Sequence, residues 1–152
     1  LYEWYYHCDG VIGHRDGRCG GWADLFEQLC AIQGINNVSE HTFYALGGGQ
    51  WFDTDSTHKE KYILTQKPPF QGRNSPNGVY SDHVINVYDN AFYDVTTGSG
   101  PYSSFQEYLL DCITITKIIA EKIGDDLYSI STTEIPLTPA NISYYIETEE
   151  DQ

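Results

Sequence analysis

The sequence predicts an α+β fold, with a cysteine-bearing helix near the N-terminus packed on an antiparallel β-sheet. Apolar residues recur at helical spacing between positions 19 and 33. After position 38, β-branched and aromatic residues alternate in several segments, and the turn signals between them are short enough to join antiparallel neighbours.

The first 18 residues, LYEWYYHCDGVIGHRDGR, are aromatic and then Gly-punctuated, a packed segment running into a loop. Over 19–33, Trp22, Leu25, Phe26, Leu29 and Ile32 share one helical face, while Asp24, Glu27 and Gln28 occupy the other. Gly34 is the expected stop. Strands are expected over 38–46, ending at Gly47-Gly48-Gly49, and over 59–66, ahead of Pro68-Pro69 and the loop QGRNSPNG. Segments 80–88 and 91–96 flank Asp89-Asn90, a two-residue hairpin turn. A short helix is expected around 103–111, with Phe105, Tyr108, Leu109 and Cys112 on its apolar side. The stretches ITITKII and LYSISTTEI flank Gly124-Asp125-Asp126 and read as another hairpin. With no internal repeat and no linker, a single domain over 1–152 is expected, β-rich over about 113–146 and ending in an acidic, solvated tail over 147–152.

Composition narrows the function. The chain has 152 residues, 40% of them hydrophobic and 14% aromatic, enough for a buried core without disulfide staples. It carries 22 Asp+Glu against 8 Lys+Arg, a net charge of −14. Such a surface repels phosphate backbones and anionic lipid, which argues against nucleic-acid and membrane-surface roles. No apolar run approaches the roughly 18 residues that cross a membrane. The chain begins at Leu1 and has no methionine, so it reads as a processed product or an excised domain. The sequons at Asn37 and Asn141 would matter in a secretory context, and an extracytoplasmic or secreted location is favoured.

Four cysteines, Cys8, Cys19, Cys30 and Cys112, show no CxxC pair. His7, Cys8, His14 and Cys19 lack zinc-finger or ribbon spacing, so no metal or cofactor is expected. A disulfide from Cys19 to Cys8 or Cys30 is the structural alternative, although Cys30 would lie about 16 Å away along the same helix.

The chemistry gathers around Cys19, His83 and Asp94. A helix N-terminus favours a thiolate, Gly20 and Gly21 leave room for a substrate, and the N–H groups of the first turn can receive an oxyanion. If Asp89-Asn90 is a two-residue loop, Tyr88 faces Ala91, His83 faces Thr96 and Asp94 faces Ile85. His83 and Asp94 then share a sheet face as diagonal neighbours, roughly 7–8 Å apart at the backbone and within side-chain reach. A thiol nucleophile needs such a histidine to carry its proton, and a third group to orient the ring.

Gly17-Arg18-Cys19-Gly20-Gly21-Trp22-Ala23-Asp24-Leu25-Phe26, with Leu29 and Gly34-Ile35, resembles the cysteine-bearing helix of transglutaminase-like domains of papain-like fold. His83-Val84 and Tyr93-Asp94-Val95-Thr96 resemble the family's histidine strand and its aromatic-Asp-x-Thr strand, in the same order. The resemblance spans 17–96. It implies a Cys19-His83-Asp94 triad acting on amide bonds through a thioester, as protease, amidase, glutamine deamidase or transglutaminase, on a protein or peptide substrate. Gly20, Gly21, Trp4 and Trp51 are the expected oxyanion and cleft residues. The alternative is a catalytically inactive transglutaminase-like binding module of a larger surface protein. Cys30 and Cys112 read as core, and His7, His14, His41 and His58 as structural. Trp22 reads as packing behind the nucleophile, and Phe52 and the loop 68–78 as a border of the cleft or plain cover.

Overall fold

The computed structural model describes residues 19–67 and 79–149; the expectations for 1–18, for the loop 68–78 and for 150–152 lie outside them. In chain order the elements are α1 (Cys19–Ile32), β1 (Ser39–Ala45), a 3-10 turn (Leu46–Gly49), β2 (Phe52–Asp53), β3 (His58–Gln66), β4 (Val79–Tyr80), β5 (Asp82–Tyr88), β6 (Ala91–Asp94), β7 (Ser99–Tyr102), α2 (Phe105–Cys112), β8 (Ile113–Gly124), β9 (Leu127–Pro136), α3 (Ile142–Tyr145) and β10 (Ile146–Thr148). The chain is mixed α and β, and its sheets are mostly antiparallel. It divides into two compact units, each assembled from separate stretches of sequence. The first is described through residues 19–42 and 83–108, the second through 43–67, 79–82 and 109–149. Among the described residues no helix is long and apolar enough to cross a membrane.

In the first unit, α1 closes on Gly34. Its positive φ of 87° lets Gly34 N–H donate to the Ala31 carbonyl while Ile35 N–H reaches back to that of Cys30, both satisfying last-turn acceptors. The buried residues of α1 are Gly21 and Ala23. The apolar stripe expected to be buried is not: Leu29 is 52% and Ile32 77% exposed, and Trp22, Leu25 and Phe26 are half-buried. Small residues let the helix backbone come close to β5, where the Asn86 side-chain amide donates to the Ala23 carbonyl at 3.1 Å. The Phe26 and Tyr93 rings meet at 5.7 Å. Burial is therefore concentrated where the helix starts.

Asp89 and Asn90 form the expected two-residue turn, with φ of 51° and 60°, the left-handed pair that matches strand twist. The register is the expected one: Tyr88 opposite Ala91, Val87 opposite Phe92, Asn86 opposite Tyr93. The strand expected over 91–96 stops at Asp94, and Thr96 lies in a turn rather than opposite His83. There the ladder to β7 shifts between Phe92/Tyr102 and Asp94/Ser99. Gly100 is required at this shift, since a Cβ on it would stand 2.7 Å from the Phe92 carbonyl oxygen. A Ser-x-x-Glu box then starts α2. Glu107 N–H donates to Ser104 Oγ at 3.1 Å, and the Glu107 carboxylate accepts Ser103 N–H at 3.1 Å. That start places the Tyr108 ring, fully buried, against Phe105 and Tyr102.

The second unit is held by the long ladders β3–β8 and β8–β9, the latter turning at Asp126 with φ 54°. Leu64, Ile113, Ile115 and Leu109 are wholly buried. The tail is shorter than expected. Ile146–Thr148 pair with the second half of β1, and the Glu147 carboxylate accepts the Gly47 N–H at 2.7 Å. Negative charge on the strand supplies an acceptor that the glycine turn needs.

Candidate active site

Cys19 is the first residue of α1, half-buried and carrying a free thiol, and Cys30 is likewise free, so no Cys19–Cys30 disulfide exists. His83 lies near the start of β5 and Asp94 ends β6, and neither side chain has any exposed surface. The hairpin register brings them together: Nε2 of His83 stands 2.9 Å from Oδ2 of Asp94. The Cys19 thiol lies near enough to the ring to raise its proton affinity. Three residues separated by up to 75 positions thus meet on one imidazole, within the first unit.

The carboxylate has further partners. The Tyr108 hydroxyl donates to the same Oδ2 at 2.6 Å, and Thr97 N–H approaches Oδ1 at 3.4 Å. Thr97 Oγ1 pairs with Ser99 Oγ at 2.6 Å and lies 3.5 Å from the Asp94 carbonyl, closing the turn after β6. Burial raises the proton affinity of Asp94, but the His83 charge and hydrogen bond outweigh it, with Tyr108 and Thr97 adding to them, and hold the carboxyl below its ordinary value. For His83, burial pushes downward. The Asp94 charge and hydrogen bond, then the Cys19 hydrogen bond and charge, overcome it and raise the imidazole to about 10. A carboxylate and an imidazolium buried together satisfy the rule that buried charge is paired and hydrogen-bonded.

No protein-family model matches this chain, and no curated protein or solved structure matches it either. The site has to be read from its own geometry.

Of the expected cleft residues, Gly20 is half-buried and Gly21 buried in the first turn beside Cys19. Trp4 lies outside the described residues. Trp51 belongs to the second unit, 45% exposed, with the Lys61 ammonium 5.6 Å from its ring. Cys112 is buried, and His41 packs edge-on against Phe105 at 4.5 Å. His58 sits between Glu60 and Glu121 in the second unit. Sequence reasoning placed Tyr108 only on an apolar helix face and missed its hydroxyl contact. Its signal is indirect: the Ser-x-x-Glu box fixes where α2 begins and hence where residue 108 points. Asp24, Glu27 and Glu40 bring carboxylate oxygens within 4.8 Å of one another. Their all-oxygen set suits calcium or magnesium better than zinc, and clusters of this kind are common on so acidic a chain without an ion.

Proposed function

We propose that this chain is a thiol enzyme acting on amide bonds, of the transglutaminase-like kind that its motifs resemble and with the papain-like fold that kinship implies. Cys19 is the nucleophile, His83 the proton carrier and Asp94 the group that orients and charges the ring. One observation carries the reading: a buried carboxylate at 2.9 Å fixes the imidazole, and the thiol at the helix N-terminus lies near enough to raise the ring's proton affinity. The order helix-Cys, strand-His, strand-Asp around a two-residue turn supports the same kinship.

In the reacting pair Cys19 gives its proton to His83, so that a thiolate faces an imidazolium. Cys19 Sγ forms a bond to the amide carbonyl carbon, and the carbonyl oxygen takes the negative charge, facing the N–H groups of Gly20 and Gly21. As the C–N bond breaks, His83 gives its proton to the leaving nitrogen, releasing ammonia or an amine and leaving a thioester on Cys19. Water or a second amine then attacks that carbon, its proton passes to His83, and the C–S bond breaks to restore the thiolate. Water gives proteolysis, amide hydrolysis or glutamine deamidation; an amine gives crosslinking. Asp94 stays ionised and holds the ring through both steps.

The test is acid-quenched intact-mass spectrometry after incubation with glutamine-containing peptides and peptide amides, with hydroxylamine as a competing amine. The expected result is an acyl adduct on Cys19 and a hydroxamate product, both absent in Cys19→Ala. An unmodified Cys19 with no ammonia, amine or hydroxamate released would instead favour the binding-module reading.

A further inference from the structure

We propose that Tyr108 is a positioning residue for this site: its hydroxyl holds the Asp94 carboxylate ionised, with Oδ2 turned to His83, and so sets the acid end of the range in which the Cys19–His83 pair operates. The inference rests on the function proposed above and adds a fourth residue to it.

The geometry is specific. Oδ2 of Asp94 accepts two donors, His83 Nε2 at 2.9 Å and Tyr108 Oη at 2.6 Å, in a place where none of the three side chains reaches solvent. A carboxylate with no exposed surface depends on the donors the fold supplies, and each donor withdrawn favours its protonated form. Thr97 N–H serves the other oxygen from a longer distance, 3.4 Å, which leaves Tyr108 as the strong neutral donor. The Tyr108 ring is itself fixed, stacked on Phe105 at 17° between planes and set edge-on to Tyr102. A donor with a fixed ring selects one carboxylate orientation, which is what a histidine held in a single tautomer requires.

The titratable groups around Asp94 are few. His83 comes from β5, Cys19 reaches it through His83 from α1, and Tyr108 comes from α2. Tyr102 of β7 stands behind Tyr108, and Tyr93 precedes Asp94 on β6. His41 of β1 meets the Phe92 and Phe105 rings of the same cluster. When Asp94 takes a proton, the charge that does most to keep His83 cationic disappears, and with it the support the ring gives the Cys19 nucleophile. The first group to protonate on acidification therefore ends reactivity, and Tyr108 opposes that protonation at Asp94.

The experiment is the pH profile of Cys19 alkylation by iodoacetamide in the unmodified chain, in Tyr108→Phe and in Tyr102→Phe, with near-UV circular dichroism to establish folding. The expected result is an acid limb moved up by roughly one pH unit in Tyr108→Phe and unmoved in Tyr102→Phe. A folded Tyr108→Phe with its acid limb in place would overturn the inference while leaving the thiol-enzyme reading intact. If Tyr108→Phe does not fold, 3-fluorotyrosine placed at position 108 decides. The stronger donor is expected to move the limb down, and an unmoved limb overturns the role. An ordinary thiol titration in the unmodified chain would remove the enzyme reading, and this inference with it.

Discussion

The two units bury different chemistry. Among the described residues of the second unit, the buried side chains are eleven apolar ones, from Phe43 to Ile146, against two polar ones, Gln66 and Thr114. In the first unit four apolar residues, Ala23, Val38, Ile85 and Tyr108, are matched by four polar ones, His83, Asn86, Asp94 and Thr97. Apolar burial stabilises a fold without a required partner, whereas a buried ion pair returns little net stability and is costly to break. The second core is what stability alone would select. The first carries a buried ion pair that stability alone does not explain.

That contrast can be broken most forcefully at Asp94. Asp94→Ala leaves the buried imidazole without its carboxylate, and a loss of about 3–5 kcal/mol in urea unfolding is expected. The His83 proton affinity should fall with it, because burial is then opposed only by Cys19, and NMR titration of the ring reads that change. The matching substitution in the second unit is Leu64→Ala, expected to cost about 2–5 kcal/mol through the cavity it leaves. Its signature differs: Cys19 alkylation should keep its pH profile in the folded protein. A shifted profile in Leu64→Ala would undo the distinction between the two cores.

The pair also gives stability a pH dependence with a definite sign. His83 is raised from 6.5 to about 10 in the folded chain, so its contribution is full below about 6.5 and is lost as pH rises toward 10. Asp94 is lowered, so its contribution is present above its ordinary value of 3.8 and is lost on acidification below that. Urea midpoints measured from pH 5 to pH 10 should therefore decline across the upper half of that range, and His83→Gln should remove that decline. The smallest effect is expected at Gly34, where φ of 87° disfavours any side chain. Gly34→Ala should cost about 1–2 kcal/mol without touching the site's titration.

Much of the first unit was legible in the sequence because it depends on local rules. The end of α1 follows from Gly34, and the β5–β6 register from Asp89-Asn90, a pair that tolerates left-handed backbone. That register alone brings His83 within reach of Asp94. What local rules could not supply was which helix face meets the sheet. Periodicity marked Leu29 and Ile32 for burial, but close backbone approach at Gly21 and Ala23 decided the packing. The break at Ser81 within the strand expected over 80–88 has a similar origin, since the Ser81 carbonyl accepts Ala45 N–H at 3.3 Å. Tyr108 was hidden for a different reason. A tyrosine on an apolar helix face looks the same in sequence whether its hydroxyl finds a carboxylate or not.

Activation of Cys19 by the imidazole that Asp94 holds is tested most directly by the rate of iodoacetamide labelling from pH 4 to pH 10, alone and in His83→Ala. The expected result is fast labelling well below pH 8 that His83→Ala abolishes. A labelling curve that follows an ordinary thiol, and is unchanged in His83→Ala, would contradict it.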